Sequence, residues 1–86
     1  MITWVSIYYQ ESRLSRRDVA AVFFQVAGFT TDASEVRSQS PGVVRFKIYG
    51  YYSRVIETTL NRRITDLDPL AEVRINGQPY AARGLF

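Results

Sequence analysis

The sequence contains no cysteine and no histidine. Without cysteine the chain cannot form disulfides, thiolate zinc sites or iron–sulfur clusters. Without histidine it lacks the side chain that most often serves as a general base and as a metal ligand. Catalysis would have to rest on carboxylates, tyrosines, hydroxyls or the single lysine, Lys47. We therefore predict that the chain is not an enzyme and that it holds no cofactor and no metal.

The eight carboxylates do not form a catalytic or metal-binding pattern. Most are scattered along the chain, where capping and salt bridging explain them. Asp66 and Asp68 lie close together, but they come immediately before Pro69, which is typical of a turn that ends a helix. We predict a structural role for this pair.

Long apolar runs are also missing. No run of eighteen apolar residues could span a membrane, and no basic region followed by an apolar stretch marks the N-terminus. We therefore expect an intracellular, cytoplasmic chain without membrane contact. Its 86 residues, 47% of them hydrophobic, allow a single domain over residues 1–86 with one modest core. A partner or self-association would add to its thin stability margin.

Arginine is plentiful, with ten arginines among eleven basic residues and a net charge of +3. Arginine binds carboxylates and phosphates in a bidentate manner and stacks on aromatic rings, which suits interfaces. A high-GC genome would favour arginine codons equally well. The small net charge does not indicate a dedicated nucleic-acid-binding protein.

Local signals define a first helix over residues 16–27. Ser15 and Asp18 form a capping-box arrangement, and Leu14 and Val19 occupy the positions of a hydrophobic staple. Gly28 follows where a left-handed C-terminal cap is expected. The predicted core-facing stripe, at helical spacing, consists of Val19, Val22, Phe23 and Val26.

A second helix is predicted over residues 54–66. Ser53 is its candidate N-cap, and Asp68-Pro69 ends it. Val55 and Thr59 are expected to lie beside its buried stripe, which we predict to be Ile56, Leu60, Ile64 and Leu67.

Alternation and β-branched content predict four strands, over residues 2–9, 33–39, 43–49 and 70–75. Asn76-Gly77 is a strong hairpin signal, so the chain is expected to return as a short extra edge strand containing Pro79. The residues predicted to face the core are Val5, Ile7, Val36, Val44, Phe46, Ile48, Ala71, Val73 and Ile75.

The order β-α-β-β-α-β predicts an α+β, ferredoxin-like fold. Two right-handed crossovers give a four-stranded antiparallel sheet in the order 4-1-3-2, with both helices on one face. The opposite face is then open. Its predicted residues are Trp4, Ser6, Tyr8, Glu35, Arg37, Val43, Arg45, Lys47, Tyr49, Glu72 and Arg74. The fold alone does not identify a function.

Aromatic rings and arginines share this predicted open face. Such a mixture suits a protein interface, whose strongest contacts favour tryptophan, tyrosine and arginine. It also suits stacking on the bases of RNA or single-stranded DNA. In a third interpretation the C-terminal segment around Tyr80 and Phe86 covers the face.

Part of the chain resembles an RNA-recognition motif. Ser15-Arg16-Arg17-Asp18-Val19 and Val22-Phe23-Phe24-Gln25 are similar to that family's first helix, and Gly42-Val43-Val44-Arg45-Phe46 lies where its third-strand contact motif falls. The resemblance implies the same fold. The family's RNA-contacting rings correspond to Ser6, Val43 and Arg45, none of which is aromatic. Members without these rings tend to bind proteins or dimerise, so the resemblance implies assembly more than RNA binding.

The C-terminal half resembles the small linker domain of phycobilisomes. The similar segments are Phe46-Lys47-Ile48, Tyr52-Ser53-Arg54, Arg62-Arg63-Ile64 and Val73-Arg74-Ile75. The Gly-Gly that precedes the last strand of those domains is absent here, and the helix spacing is longer. The resemblance implies a non-catalytic assembly role.

From the sequence we predict a small basic protein that acts as a non-enzymatic interaction or assembly module, such as an adaptor, linker or structural subunit. A protein partner or self-association is expected, and nucleic-acid binding by the same face is the alternative. The predicted binding residues are Trp4, Tyr8, Arg37, Arg45, Lys47, Tyr49 and Arg74.

Overall fold

A computed structural model describes residues 2–28, 32–36, 40–49 and 54–79. Four residues with predicted roles lie outside these ranges, namely Arg37, Ser53, Tyr80 and Phe86. The elements are β1 (Ile2–Tyr8), α1 (Arg16–Ala27), β2 (Asp32–Val36), β3 (Val43–Tyr49), α2 (Arg54–Leu67), β4 (Glu72–Ile75) and β5 (Gln78–Pro79). This order confirms the predicted ferredoxin-like α+β fold. Neither described helix is long and apolar enough to cross a membrane.

One antiparallel sheet contains all five strands, in the order β2-β3-β1-β4-β5. The predicted four-strand order is confirmed, and β5 adds the expected short edge strand. Central strand β1 sets the register, because Val5 lies opposite Phe46 on β3 and opposite Ile75 on β4. Directly opposed residues share a sheet face, so the alternation of one strand fixes that of its neighbours.

Aromatic stacking joins α1 to the sheet. The ring of Phe23 lies parallel to that of Phe46, with centroids 3.8 Å apart, and Phe24 meets both rings edge-on. Around them lies one continuous core on the helix side of the sheet. Its buried members are Val5, Ile7, Leu14, Val19, Val22, Phe23, Ala27, Val44, Phe46, Ile48, Ile56, Leu60, Ile64, Val73 and Ile75.

Helix α1 begins as the sequence predicts and ends differently. The Ser15 hydroxyl accepts the Asp18 N–H, and the Asp18 carboxylate accepts the Ser15 N–H, both at 3.1 Å. The predicted left-handed cap at Gly28 is wrong, because its φ of −69° is right-handed and its N–H still bonds to the Phe24 carbonyl. The stripe also shifts by one residue at its end, where Ala27 is buried and Val26 only partly so.

The buried stripe of α2 follows a strict four-residue spacing and ends on a carboxylate. Ile56, Leu60 and Ile64 are buried as predicted, but Leu67 is 49% exposed and Asp68 takes the next buried position. Glu57 is also buried, which the apolar pattern could not predict. Val55 is exposed.

The predicted faces of β2 are wrong. Glu35 lies opposite Phe46, on the helix side, and Val36 lies opposite Arg45, on the open side. Val36 is the largest apolar residue of this strand, so the prediction placed it inward. Ala33 takes the inward position and packs partly against the core. The Glu35 carboxylate reaches Arg16 of α1 at 3.0 Å instead of joining the open face.

Asp68 ties two chain segments together. Its carboxylate accepts the N–H of Gln10, from the loop before α1, at 2.8 Å and the N–H of Leu70 at 3.1 Å. Its side chain is fully buried. The predicted structural role is thus confirmed for Asp68, whose contact with Gln10 spans 58 residues of sequence. Asp66 makes no hydrogen bond or ion pair within the described residues.

Replacing Asp68 by alanine should destabilise the fold by about 2–4 kcal/mol, because two backbone donors lose a charged acceptor inside the structure. Asp66→Ala is the matched control. Asp66 is exposed two residues earlier, in the last turn of α2, and its replacement should change stability by less than about 0.5 kcal/mol. Urea unfolding followed by circular dichroism measures both. Equal stability of the two variants would contradict the structural role of Asp68.

The capping box should make the stability of the fold depend on pH. The hydrogen bonds from Ser15, first from its backbone N–H, hold the pKa of Asp18 below its ordinary value of 3.8. The ionised carboxylate therefore favours the folded state above pH 3.8, and this contribution is lost as pH falls through the folded pKa. Ser15→Ala should move the pKa of Asp18 upward, as followed by carbon NMR of its carboxyl group. The backbone N–H is retained in this variant, so an unchanged titration midpoint would contradict the contribution of the Ser15 hydroxyl.

Candidate binding face of the sheet

The sheet face turned away from the helices is the candidate site, and we call it the open face. The register places six of the seven predicted binding residues on it. They are Trp4, Tyr8, Arg45, Lys47, Tyr49 and Arg74. Arg37 lies outside the described residues. Ser6, Val43 and Glu72 also lie on it as predicted, whereas Glu35 does not, and Val36 of β2 lies on it instead.

Lys47 lies over the ring of Trp4. The two residues are directly opposite on β3 and β1, and the ammonium nitrogen is 4.8 Å from the ring centroid. A cation at this distance is attracted by the electron-rich face of an indole. Because the two residues lie on paired strands, the β1–β3 register that aligns the core residues also brings Lys47 onto Trp4.

Arg74 is held by two neighbours. Its guanidinium carbon lies 4.6 Å from the centroid of the Tyr8 ring. Its Nε and a terminal nitrogen donate to one Glu72 oxygen at 3.1 and 3.0 Å. Tyr8 lies opposite Glu72 across the β1–β4 pair, so the three side chains form one compact group.

Arg45 differs from the other two cations of the open face. It lies on β3 opposite Ser6 and is exposed. Within the described part of the chain it makes no ion pair, hydrogen bond or ring contact. Its guanidinium is therefore available for a ligand, with all of its donors.

A shallow concavity of about 340 Å³ joins these groups. Its lining residues are Trp4, Ser6, Tyr8, Arg45, Arg74, Asn76 and Gly77. None of them carries a carboxylate, and all are within the described chain. Arg74 is paired with Glu72, and Arg45 has no paired carboxylate among the described residues, so this lining favours an anionic ligand.

The β4–β5 turn forms one wall of the concavity. Asn76 and Gly77 have φ of 52° and 84°, as a primed two-residue hairpin turn requires. The Asn76 side-chain oxygen accepts the Trp4 N–H at 3.0 Å, and the Asn76 N–H donates to the Trp4 carbonyl at 2.8 Å. The turn thus holds the backbone of Trp4 in place.

Five described residues of this region are not assigned to it by the sequence patterns, namely Ile2, Ser34, Val36, Asn76 and Gly77. The Asn76-Gly77 pattern predicts only a hairpin, because the approach of this turn to Trp4 depends on the β1–β4 register. Ile2 lies opposite Tyr49 on the open face and is 44% exposed. Extending the alternation of β1 back to its first residue would have found Ile2. Among the described residues, no group of three carboxylates could hold a metal ion.

Comparisons with known proteins bear on the fold only. No protein-family model matches the chain, and no curated protein matches it. A solved structure, that of the de novo designed protein Foldit4, is similar with a TM-score of 0.61 and 16% sequence identity. The match covers 87% of this chain and 91% of that one. It supports the ferredoxin-like architecture, and the resemblances to RNA-recognition motifs and phycobilisome linkers stay predictions.

Two variants of Asn76 test the conformation of the β4–β5 turn. Asn76→Gly removes only the side-chain hydrogen bond and should cost about 1 kcal/mol of stability. Asn76→Ala should cost about 1 kcal/mol more, because alanine is strained at positive φ. Urea denaturation of both variants measures the difference. If alanine were tolerated as well as glycine, the left-handed conformation of residue 76 would be refuted.

Proposed function

We propose that the chain is a non-enzymatic protein-interaction or assembly module that binds its partner through the open face. One observation carries the proposal. Lys47 and Arg74 are retained on the rings of Trp4 and Tyr8, while Arg45 is exposed beside the concavity that these rings line. Within the described residues, the face thus combines two ordered aromatic groups with an arginine that has no partner.

This arrangement suits a protein partner. Tryptophan, tyrosine and arginine dominate the energetics of protein interfaces, particularly where a pocket accepts a partner side chain. Contacts that already order these side chains reduce the entropy lost on binding. Arg45 would pair with a partner carboxylate, which a planar guanidinium binds in a bidentate manner.

Base stacking is less well supported. Binding of single strands needs accessible ring faces, and here a cation lies over one face of each ring. The β1 and β3 positions between the two rings carry Ser6 and Arg45, which cannot stack as aromatic residues do. The excess of cations over carboxylates still favours an anion, so RNA or single-stranded DNA is kept as the alternative.

A double variant tests the proposal. Trp4→Ala/Arg45→Ala removes one ring and the unpaired cation, and should abolish self-association or partner capture without changing helical content. Arg62→Ala/Leu70→Ala is the matched control, because it removes an exposed arginine and an exposed apolar side chain away from the open face. Sedimentation velocity, affinity capture with mass spectrometry and circular dichroism provide the measurements.

The proposal assigns binding to one face, so association that survives in the double variant would refute it. Equal loss in the control pair would refute it as well. The nucleic-acid alternative has its own test in a salt titration with a labelled mixed-sequence oligonucleotide. Phosphate contacts predict an affinity that falls by roughly one power of ten per decade of salt for each neutralised phosphate. No binding at low salt would end that alternative.

A further inference from the structure

A second concave surface lies on the helix side, at the edge of the sheet. We call it the α1–β2 groove. Its volume is about 600 Å³, and it is lined by Arg16, Arg17, Ala20, Ala21, Phe24 and Glu35. None of these residues belongs to the open face, so the groove is independent of the function proposed above.

Strand β2 forms one side of the groove. Within the described sheet β2 pairs only with β3, so its outer edge has no neighbouring strand. Such an edge presents backbone N–H and C=O groups that an added strand can pair with. The side chain of Glu35 lies on the helix side of β2 and lines the groove. Side chains on this side of the strand edge therefore point into the space beside α1. Alternate side chains of an added strand would enter the same space.

Helix α1 contributes an apolar wall. Ala20 and Ala21 are small and leave room beside the strand edge, and Phe24 is 37% exposed there. The ring of Phe24 is held edge-on against Phe23 and Phe46, so this wall is fixed against the packed core. The groove therefore offers a fixed apolar surface to a side chain of modest size.

The net charge at the rim of the groove favours one kind of ligand. Arg16 is paired with Glu35 at 3.0 Å, which balances one cation. Arg17 is exposed and makes no ion pair or hydrogen bond within the described residues. The rim is thus left with an excess positive charge. A second copy docked edge to edge would bring two such positive rims together.

We propose that the α1–β2 groove binds an extended peptide segment of another protein, which pairs with β2 as an added strand. The segment places an apolar side chain against Ala21 and Phe24 and an acidic side chain, two residues away on the same face, beside Arg17. This partner is distinct from the one that meets the open face.

The probe is an acetylated, amidated heptapeptide, Thr-Asp-Thr-Val-Thr-Asp-Thr. Its central valine and both aspartates share one face of a strand, so either strand direction brings an aspartate toward Arg17. Titration into the nitrogen-labelled protein should give saturable amide shifts confined to β2 and to the facing residues of α1. The same peptide with asparagine for aspartate should bind about fivefold more weakly.

Two variants complete the test. Arg17→Glu should weaken binding about five- to tenfold, and it should fold, because a carboxylate is favourable in the first turn of a helix. Arg62→Glu, an exposed charge reversal on α2, should leave binding unchanged, as should Trp4→Ala/Arg45→Ala. Absence of saturable shifts, shifts on the open face or equal affinity for both peptides would overturn the proposal. Concentration-dependent β2 shifts without peptide would overturn it in favour of a second copy.

Discussion

The parallel stack of Phe23 on Phe46 is the contact on which the rest of the structure depends. It places α1 over β3 and connects the buried stripe of the helix to the alternating residues of the sheet. Helix α2 completes the same layer with Leu60 and Ile64. With the helices on one side, the opposite sheet face is uncovered by either of them, and the side chains that alternate with the core must lie there.

The open face is ordered by the same register that orders the core. Trp4 and Lys47 meet because Val5 and Phe46 meet one residue further along. The Tyr8–Glu72–Arg74 group follows in the same way from the β1–β4 pairing. Among the described residues, the register therefore places a cation over the rings of Trp4 and Tyr8 and leaves Arg45 unpaired.

Strong local signals made most of the fold predictable. The Ser15 capping box, the alternation of β1 and β3 and the Asn76-Gly77 turn each agree with the structure, because each is decided by neighbours in sequence. The predicted facing of β2 was wrong, because an edge strand with one large apolar residue shows no reliable alternation. A charged side chain such as Glu35 can also remain hydrated on the helix side. The position of Arg74 over Tyr8 and the long-range acceptor role of Asp68 depend on tertiary register, which local pattern does not contain.

The central claim is that Lys47 and Arg74 are held on the rings of Trp4 and Tyr8, which leaves Arg45 available for the proposed partner. Proton chemical shifts measure this directly, because a methylene group above an indole ring is shifted upfield by the ring current. We expect the ε-methylene protons of Lys47 to lie upfield of their random-coil position and to return to it in Trp4→Leu. Random-coil shifts in the unmodified protein, or shifts unaffected by Trp4→Leu, would contradict the account.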